Sequence, residues 1–262
     1  MAQSHPLFWN FNRVVDVSAL IATGNKTIAN LTERSNMIER MKSALMLDSA
    51  DCAVLTIDCQ RGNLDPAIAS LPVPEPECSR VLEGTNRLLA LARGAGVAVV
   101  HASTVWEAPL LASHPFERAM LELRESFTPH RKSDFARHKS PGSIEGQLMP
   151  GLDIQPSDLI VDSKRAFDSF HGTPLEMLLR AMNRSTLLVA GCNTNTCVLA
   201  TTFGGYNRGF RMVIVSECVA SAYGNDLHEF ALANIQRRLG WVLTVDEVAA
   251  KLAGKRAAVA GA

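Results

Sequence analysis

Between residues 51 and 248, short apolar runs alternate with longer segments in which apolar residues recur every three or four positions. The short runs are rich in Val, Ile, Leu and Ala, which is typical of strands buried on both faces of a parallel sheet. These predicted strands are residues 52–58, 97–104, 158–163, 185–192, 211–218 and 241–248. The periodic segments predict helices over residues 75–96, 173–183, 195–209 and 226–240.

The alternation of strands and helices predicts a doubly wound, mostly parallel six-stranded sheet covered by helices on both faces. The fold class is therefore a three-layer α/β/α sandwich, which we expect to occupy residues 51–250. A long connection rich in Pro, His and Arg interrupts the alternation at residues 105–155, with one short helix around 116–124. Residues 251–262 are expected to form a C-terminal tail.

Residues 1–50 precede the alternation and predict an N-terminal extension. Apolar residues at helical spacing predict a helix over residues 34–47, with Thr32 as a candidate N-cap. Trp9 and Phe11 lie in a less regular stretch, which favours an arm laid over a neighbouring surface. We expect this extension to serve packing or contact between subunits.

The charges are balanced, because 26 Lys and Arg face 26 Asp and Glu among 262 residues. A groove for nucleic acid needs a basic excess to neutralise phosphates, so nucleic acid is not an expected partner. A net charge of zero removes long-range repulsion between copies of the chain and favours a homo-oligomer.

The first residues, MAQSHPLFWNFNRVVDV, lack the basic start, apolar run and cleavage site of a signal peptide. No apolar stretch approaches the roughly 18 residues of a membrane span, so we expect a cytoplasmic location and no membrane partner. The cysteines are then expected to be reduced. Four of them lie in or beside apolar runs and are predicted to be small buried hydrophobes, namely Cys52, Cys59, Cys192 and Cys218.

Polar residues just after the strands are candidates for chemistry, because ligands of doubly wound sheets bind at the carboxyl ends of the strands. Asp58 follows the first strand, Lys164 follows the third, and Cys197 lies in the first turn of the helix after the fourth. The first turn of a helix and a nearby lysine would both lower the pKa of a thiol. Cys197 is therefore a candidate nucleophile, Asp58 a candidate base, and Lys164 the cation that completes the set.

Each of these residues has an ordinary interpretation when taken alone. Asp58 at a strand end suits a cap or a turn, Lys164 suits a solvated surface, and Cys197 suits a structural position near a helix start. Their occurrence together at three strand ends favours the catalytic interpretation.

Three segments resemble the signatures of isochorismatase-like cysteine hydrolases, and the resemblance spans about residues 51–248. The segments are TIDCQ (56–60), DSKRAFDSFHGTPLEMLL (162–179) and VAGCNTNTCVLATTFGGYNRGF (189–210). The third is the most specific, because its glycine, threonine, cysteine and closing Asn-Arg-Gly all fall at the expected positions.

The resemblance implies an Asp–Lys–Cys triad, here Asp58, Lys164 and Cys197, which forms a thioester acyl-enzyme. It also implies a non-proline cis peptide bond at Cys192–Asn193 and an oxyanion hole made by the backbone N–H groups of Asn193 and Cys197. A homodimer or homotetramer is implied as well.

Neither a metal nor another cofactor is expected. Members of the family that resemble nicotinamidase bind a metal through an Asp-x-His motif and a further His. The segment after Asp58, CQRGNLDPAIASLPVPEPE, contains no His. Other histidines lack recognisable ligand spacing, namely His101, His114, His130 and His138. The missing ligands also argue against a pyridine-carboxamide substrate.

Cysteine at the nucleophile position favours the amidase branch of the family. The branch that the chain most resembles cleaves C–N bonds of small linear amides and ureido compounds, such as biuret-like molecules or N-carbamoyl amino acids. Another small amide, such as maleamate or nicotinamide, is the alternative substrate. The candidate substrate-binding residues are Gln60, Trp106, Phe167, Phe170 and Asn195.

Several of these candidates have a structural alternative of equal weight. Gln60 can instead be a structural residue that holds the Asp58 loop in place, and Phe167 and Phe170 can be ordinary core residues. Arg238 is a candidate for binding a substrate carboxylate, although an arginine at a helix end usually lies at the surface and compensates the helix dipole.

Three other classes of protein stay open. A thiol redox protein is disfavoured because Cys192 and Cys197 are spaced C-x4-C and not C-x-x-C. A dinucleotide-binding enzyme would need a G-x-G-x-x-G after the first strand, where none is found. A non-catalytic interaction protein can retain the same fold, and a test of activity separates it from an enzyme.

Overall fold

The computed structural model describes residues 35–107, 109, 113–127 and 139–260. The predicted arm and several single residues lie outside the described residues, namely Trp9, Phe11, Thr32, His130 and His138.

Six parallel strands form one sheet in the order β3-β2-β1-β4-β5-β6, with helices on both sides. The strands are β1 Cys52–Ile57, β2 Ala98–Thr104, β3 Leu159–Lys164, β4 Thr186–Cys192, β5 Arg211–Ala220 and β6 Trp241–Leu243. The strand order reverses between β1 and β4, so this is the switch point at which ligands of such sheets bind. The prediction of a doubly wound three-layer sandwich is confirmed, with a sheet that is entirely parallel.

Eight α-helices are found in the described part of the chain. They are α1 Ser35–Ala44, α2 Arg61–Leu64, α3 Glu75–Gly94, α4 Pro115–Phe127, α5 Leu175–Ala181, α6 Leu199–Asn207, α7 Asn225–Asn234 and α8 Val245–Ala260. A π-helical turn, Thr194–Val198, leads into α6, and a second, Ile235–Leu239, follows α7.

The last predicted strand, 241–248, is wrong beyond Leu243, because α8 begins at Val245. Asp246 and Glu247 lie in the first turn of this helix, where the helix dipole stabilises acidic side chains. The N–H group of Val245 donates to the Glu217 carboxylate at 3.1 Å. The helix continues through residues 251–260, where the sequence predicted a tail.

The described chain divides into two compact units. Ser49–Val245 contains the whole sheet. The other unit combines residues up to Asp48 with residues from Asp246 onward, and in it Lys42 pairs with Glu247 at 3.3 Å. The domain boundaries proposed from the sequence stay predictions. No helix among the described residues is long and apolar enough to cross a membrane.

The centre of the core lies along β1 and β4, in which every residue is buried. Gly191 near the end of β4 has a φ of 121°, and an added Cβ would overlap the carbonyl oxygen of Ile57. Only glycine allows this approach of the two strand ends. The approach brings Asp58, which follows β1, close to the turn that carries Cys197.

Candidate active site

The structure brings together the three residues predicted for catalysis at the carboxyl edge of the sheet. Lys164 Nζ lies 2.7 Å from Asp58 Oδ2 and 3.4 Å from Cys197 Sγ. The exposed side-chain fractions of Lys164 and Asp58 are 0% and 1%, and Cys197 is 8% exposed. Lys164 is thus a buried partner of both groups and not a surface residue.

Thr104 is a fourth member of this cluster, to which sequence reasoning assigned no role. It ends β2, which lies between β3 and β1 in the sheet. Its Oγ1 accepts from Lys164 Nζ at 2.6 Å, and both its Oγ1 and its N–H group donate to Asp58 Oδ1 at 2.9 Å. Its position at the end of the second predicted strand places it among the polar residues where chemistry is expected, although the sequence alone indicates no specific role for it.

The backbone of Asp58 adopts an unusual conformation, with a φ of 53°. Aspartate tolerates this left-handed region better than most residues with a side chain. The N–H group of Asp58 donates to Ala102 O at 2.8 Å, and its carbonyl accepts from Asn63 Nδ2 at 2.8 Å. These contacts hold the turn that directs the carboxylate towards Lys164.

Gln60 is buried, and its whole amide group is engaged within the protein. Nε2 donates to Thr104 O at 2.9 Å and to Gly146 O at 2.8 Å, while Oε1 accepts from Thr104 N at 3.1 Å. This arrangement favours a structural role for Gln60, which holds the Asp58 loop in place, over direct binding of a substrate.

The Cys192–Asn193 peptide bond is cis, and the π-helical turn follows it directly. Val198 N donates to Asn193 O at 3.1 Å. Cys197 precedes Val198, so its N–H group lies in the first turn, where N–H groups point along the helix axis and lack the partners found further along a helix. Asn193 Oδ1 accepts from Ala222 N at 2.8 Å, and this contact holds the loop in place.

Three predicted pocket residues lie at this edge or beside it: Asn195 belongs to the π-helical turn, and Trp106 and Phe167 lie in loops. Asn195 Oδ1 accepts from Ser221 Oγ at 2.7 Å, which ties Asn195 to the chain after β5. Trp106 is half-buried, and Phe167 is 45% exposed in the segment that follows Lys164.

Phe170 lies in the hydrophobic core, which favours its structural alternative, and its place in a substrate pocket stays a prediction. It is 4% exposed, and its ring stacks on Phe210 with centroids 5.3 Å apart. Arg208 covers the Phe170 ring at 5.1 Å. Arg238 donates to the hydroxyl of Tyr206 at 2.7 Å, which supports the surface interpretation of that arginine.

Opposite charges set the ionisation of the Asp58–Lys164 pair. Burial alone would raise the pKa of Asp58, but the positive charges of Lys164 and Lys139 and hydrogen bonds from Cys197 and Lys164 hold it below its usual value. Burial would lower the pKa of Lys164, but the charges of Asp58 and Cys197 raise it above its usual value. The free protein therefore holds a carboxylate and an ammonium.

Burial and the negative charge of Asp58 raise the pKa of Cys197 to about 11, although Lys164 opposes the rise. The sequence-based expectation of a lowered thiol pKa is therefore wrong for the free protein. A thiol beside a carboxylate is an arrangement in which the proton can pass from sulfur to oxygen as the sulfur attacks an electrophile.

The other cysteines are buried in the protein, as predicted for Cys52, Cys59, Cys192 and Cys218. Within the described ranges, no group of three or more His, Cys, Asp or Glu is arranged to hold a metal ion.

The fold and this cluster define a class of protein: a doubly wound α/β protein with a buried thiol, carboxylate and amine at its switch point. The profile of the isochorismatase domain matches residues 52–247. The chain therefore belongs to the isochorismatase family, as the sequence motifs predicted.

Relatives with assigned activities cover most of the chain. A ureidoacrylate amidohydrolase of Methylobacterium radiotolerans is 27% identical over 226 residues, which are 83% of this chain and 86% of the relative. A maleamate amidohydrolase of Pseudomonas putida is 29% identical over 192 residues, which are 73% of this chain and 82% of the relative.

A crystal structure of a cysteine hydrolase from Pseudomonas syringae pv. phaseolicola has the same fold. Its TM-score is 0.66 at 22% identity, and the match covers 79% of this chain and 95% of that one.

Proposed function

We propose that this protein is a cysteine-dependent amidohydrolase that cleaves a C–N bond of a small linear amide or ureido compound through a thioester. The observation that carries the proposal is the shared contact of Lys164 Nζ with the Asp58 carboxylate and the Cys197 sulfur. The names of the two relatives support the reaction class, because both are amidohydrolases.

In the first half of the reaction, the Cys197 sulfur attacks the carbonyl carbon of the substrate while its proton passes to Asp58. The thiol is protonated in the free enzyme, so proton transfer and attack are coupled. Asp58 then gives the proton to the departing nitrogen. The C–N bond breaks, ammonia or an amine leaves, and the acyl group remains on sulfur as a thioester.

In the second half, Asp58 takes a proton from a water molecule, which attacks the thioester carbonyl. The C–S bond breaks, the acid product leaves, and the sulfur recovers its proton. One amide and one water thus give one acid and one amine. Lys164 keeps its proton throughout, because its raised pKa suits a fixed positive charge and not a proton carrier.

The negative charge that develops on the carbonyl oxygen needs donors at the start of the nucleophile turn. The N–H groups of Asn193 and Cys197 are the proposed donors. Their place at the cis bond and at the start of the π-helical turn supports this assignment.

Carboxylated small amides lead the substrate candidates, because ureidoacrylate and maleamate, after which the relatives are named, are compounds of this kind. Biuret-like molecules and N-carbamoyl amino acids share the linear amide or ureido group and belong in the same test. Trp106, Phe167 and Asn195 are the proposed pocket residues. The amide of Gln60 is fully hydrogen-bonded within the protein, so we assign Gln60 a structural role in holding the Asp58 loop.

The test is ammonia release from ureidoacrylate, maleamate, biuret, N-carbamoyl amino acids and nicotinamide. We expect turnover of one linear substrate class and its loss in Cys197→Ala by at least about a thousandfold, because no other group can form the thioester. Cys218→Ala is the matched control, since Cys218 is a buried thiol of β5 outside the cluster.

Wild-type rates in Cys197→Ala would refute the thiol mechanism. Turnover of nicotinamide alone would correct the substrate class. No turnover of any compound would favour a non-catalytic protein on the same fold.

A further inference from the structure

A second lysine lies near the cluster and has no part in the mechanism above. Lys139 is 7% exposed, and its Nζ donates to Asn63 Oδ1 at 2.7 Å. Asn63 is also buried, and its Nδ2 donates to the carbonyl oxygen of Asp58 at 2.8 Å. Two hydrogen bonds in series therefore link the Lys139 ammonium to the residue proposed as the base.

The hydrogen bonds from Lys139 through Asn63 stabilise the backbone at Asp58, which adopts a strained conformation. Asp58 has a φ of 53°, and a residue with a side chain keeps such a conformation only when its surroundings enforce it. The N–H group of Asp58 is held by Ala102 O, and its carbonyl is held by Asn63. Lys139 in turn fixes the amide of Asn63, since its ammonium occupies the Oδ1 acceptor and leaves Nδ2 directed at Asp58.

Lys139 also joins the segments that carry Asp58 and Thr104. Its carbonyl oxygen accepts from Trp106 N at 3.0 Å, two residues beyond Thr104. A Cβ on Gly62 would lie 2.9 Å from Lys139 Cε, so a side chain at that position would displace the lysine. The stem of Lys139 thus packs against α2, the short helix that follows β1, while its carbonyl oxygen is bonded to the loop after β2.

We propose that Lys139 is a positioning residue of the active site, which holds the Asp58 turn through Asn63 and adds a second positive charge beside Asp58 and Cys197. The proposal deepens the amidohydrolase function and rests on it for the roles of those two residues.

The charge of Lys139 acts in the same direction as that of Lys164. Burial raises the pKa of Asp58, and Lys139 is the second charge, after Lys164, that lowers it. The charge of Lys139 also opposes the rise in the pKa of Cys197 that burial and Asp58 cause. Three other titratable groups lie near these residues. Burial and the charge of Asp58 raise the pKa of Cys59 to about 12, and burial, with a smaller effect of Asp58, raises the pKa of Cys192. The Glu145 carboxylate accepts from Lys139 N at 3.2 Å.

Removal of the Lys139 charge should therefore raise the pKa of both Asp58 and Cys197. The test compares wild type, Lys139→Met and Lys139→Arg in two pH profiles. One is kcat/KM for the best amide substrate, and the other is the rate of Cys197 alkylation by iodoacetamide, with the site verified by mass spectrometry.

In Lys139→Met we expect the acid limb of kcat/KM and the alkylation midpoint to move upward, each by about half a unit to one unit. Lys139→Arg should restore most of both midpoints, because it retains the charge. Arg165→Gln is the matched control: it removes a positive charge next to Lys164 that is exposed and paired with Glu107 at 2.7 Å. It should move neither midpoint.

Asn63→Asp is a second variant, nearly isosteric, for the case that Lys139→Met does not fold. It keeps the acceptor for Lys139, removes the donor to Asp58 O and places a negative charge against the ammonium, so the same upward shifts are expected. Unmoved midpoints in a folded Lys139→Met or Asn63→Asp would overturn the inference, as would failure of Lys139→Arg to restore them.

The two proposals fail in different ways. Alkylation requires no substrate, so a shift in its midpoint without turnover of any amide would refute the amidohydrolase and keep the charge effect. Normal turnover with unmoved midpoints in Lys139→Met would refute only the role of Lys139.

Discussion

Lys164 lies where an isolated ammonium would be unstable, because its side chain has no contact with solvent. Its stability there depends on Asp58, Thr104 and Cys197, which accept its hydrogen bonds. The loss of one partner from such a pair leaves the other charge buried and uncompensated, which costs about 3–5 kcal/mol.

Lys164→Met should therefore abolish turnover and lower the free energy of unfolding by about 3 kcal/mol. Urea titration followed by circular dichroism measures the change. Arg165→Gln should stay within about 0.5 kcal/mol of wild type, since Arg165 is exposed. An equally stable Lys164→Met protein would contradict the buried pair.

Asp58 affects the Cys197 thiol in two opposed ways, and one substitution separates them. Its negative charge raises the pKa of Cys197, while its carboxylate accepts the thiol proton during the reaction. Asp58→Asn removes both effects. We expect faster alkylation of Cys197 by iodoacetamide at pH 8 than in wild type, together with loss of amide turnover.

The wild-type alkylation rate should rise with pH towards a midpoint of about 11, because the thiol is protonated below it. A wild-type midpoint near neutral pH would show a thiolate in the free enzyme. Slower alkylation in Asp58→Asn would mean that Asp58 activates the thiol even without substrate.

At the scale of elements, the contact between β1 and β4 depends on a single glycine. Gly191→Ala places a Cβ on the Ile57 carbonyl at a φ of 121°. We expect a loss of about 3 kcal/mol or more in the free energy of unfolding, together with reduced activity, because the strand ends carry Asp58 and the nucleophile turn. Gly94→Ala is the control, since an added Cβ at the end of α3 meets nothing within 4 Å. It should leave stability unchanged or raise it by up to about 1 kcal/mol.

The pair of β1 and β2 contains a buried histidine that couples their stability to pH. His101 Nδ1 lies 2.7 Å from Thr56 Oγ1, and its Nε2 lies 3.3 Å from Asp158 Oδ2. Burial lowers the pKa of His101 although Asp158 opposes the shift, so the unfolded chain binds the proton more tightly. This contribution to stability is present above about pH 6.5 and is lost as the pH falls through the folded-state pKa.

The free energy of unfolding should therefore fall between pH 7 and pH 5, and it should fall less in His101→Gln. Urea titrations at both pH values measure the difference. His171→Gln, at an exposed position, should keep the wild-type slope. An unchanged slope in His101→Gln would show that other groups cause the loss.

At the scale of the whole molecule, the formal net charge of zero predicts self-association. Light scattering on a size-exclusion column should give a dimer or tetramer of the 28.4 kDa chain, at low and high salt alike. A single-chain mass across concentrations would contradict this prediction.

The sheet could be predicted because its strands are largely apolar runs, and the carboxyl ends of β1, β3 and β4 located Asp58, Lys164 and the Cys197 turn. The start of α8 was missed although Thr244 and Glu247 have the spacing of a capping box, since the preceding apolar residues resembled a strand. Asn63 and Lys139 could not be paired from the sequence, because 76 positions separate them and neither lies in a periodic segment.

The strand order also decides which type of side chain can supply the cation. β2 separates β3, which carries Lys164, from β1, which leads to Asp58, and neighbouring strands lie about 4.8 Å apart. The amine therefore reaches past a whole strand, and Thr104 on that strand meets it on the way. A four-carbon stem with three tetrahedral donors covers this distance and gives one donor to each of three acceptors. The width of one strand therefore favours a long cationic side chain at this position, in addition to the need for its charge.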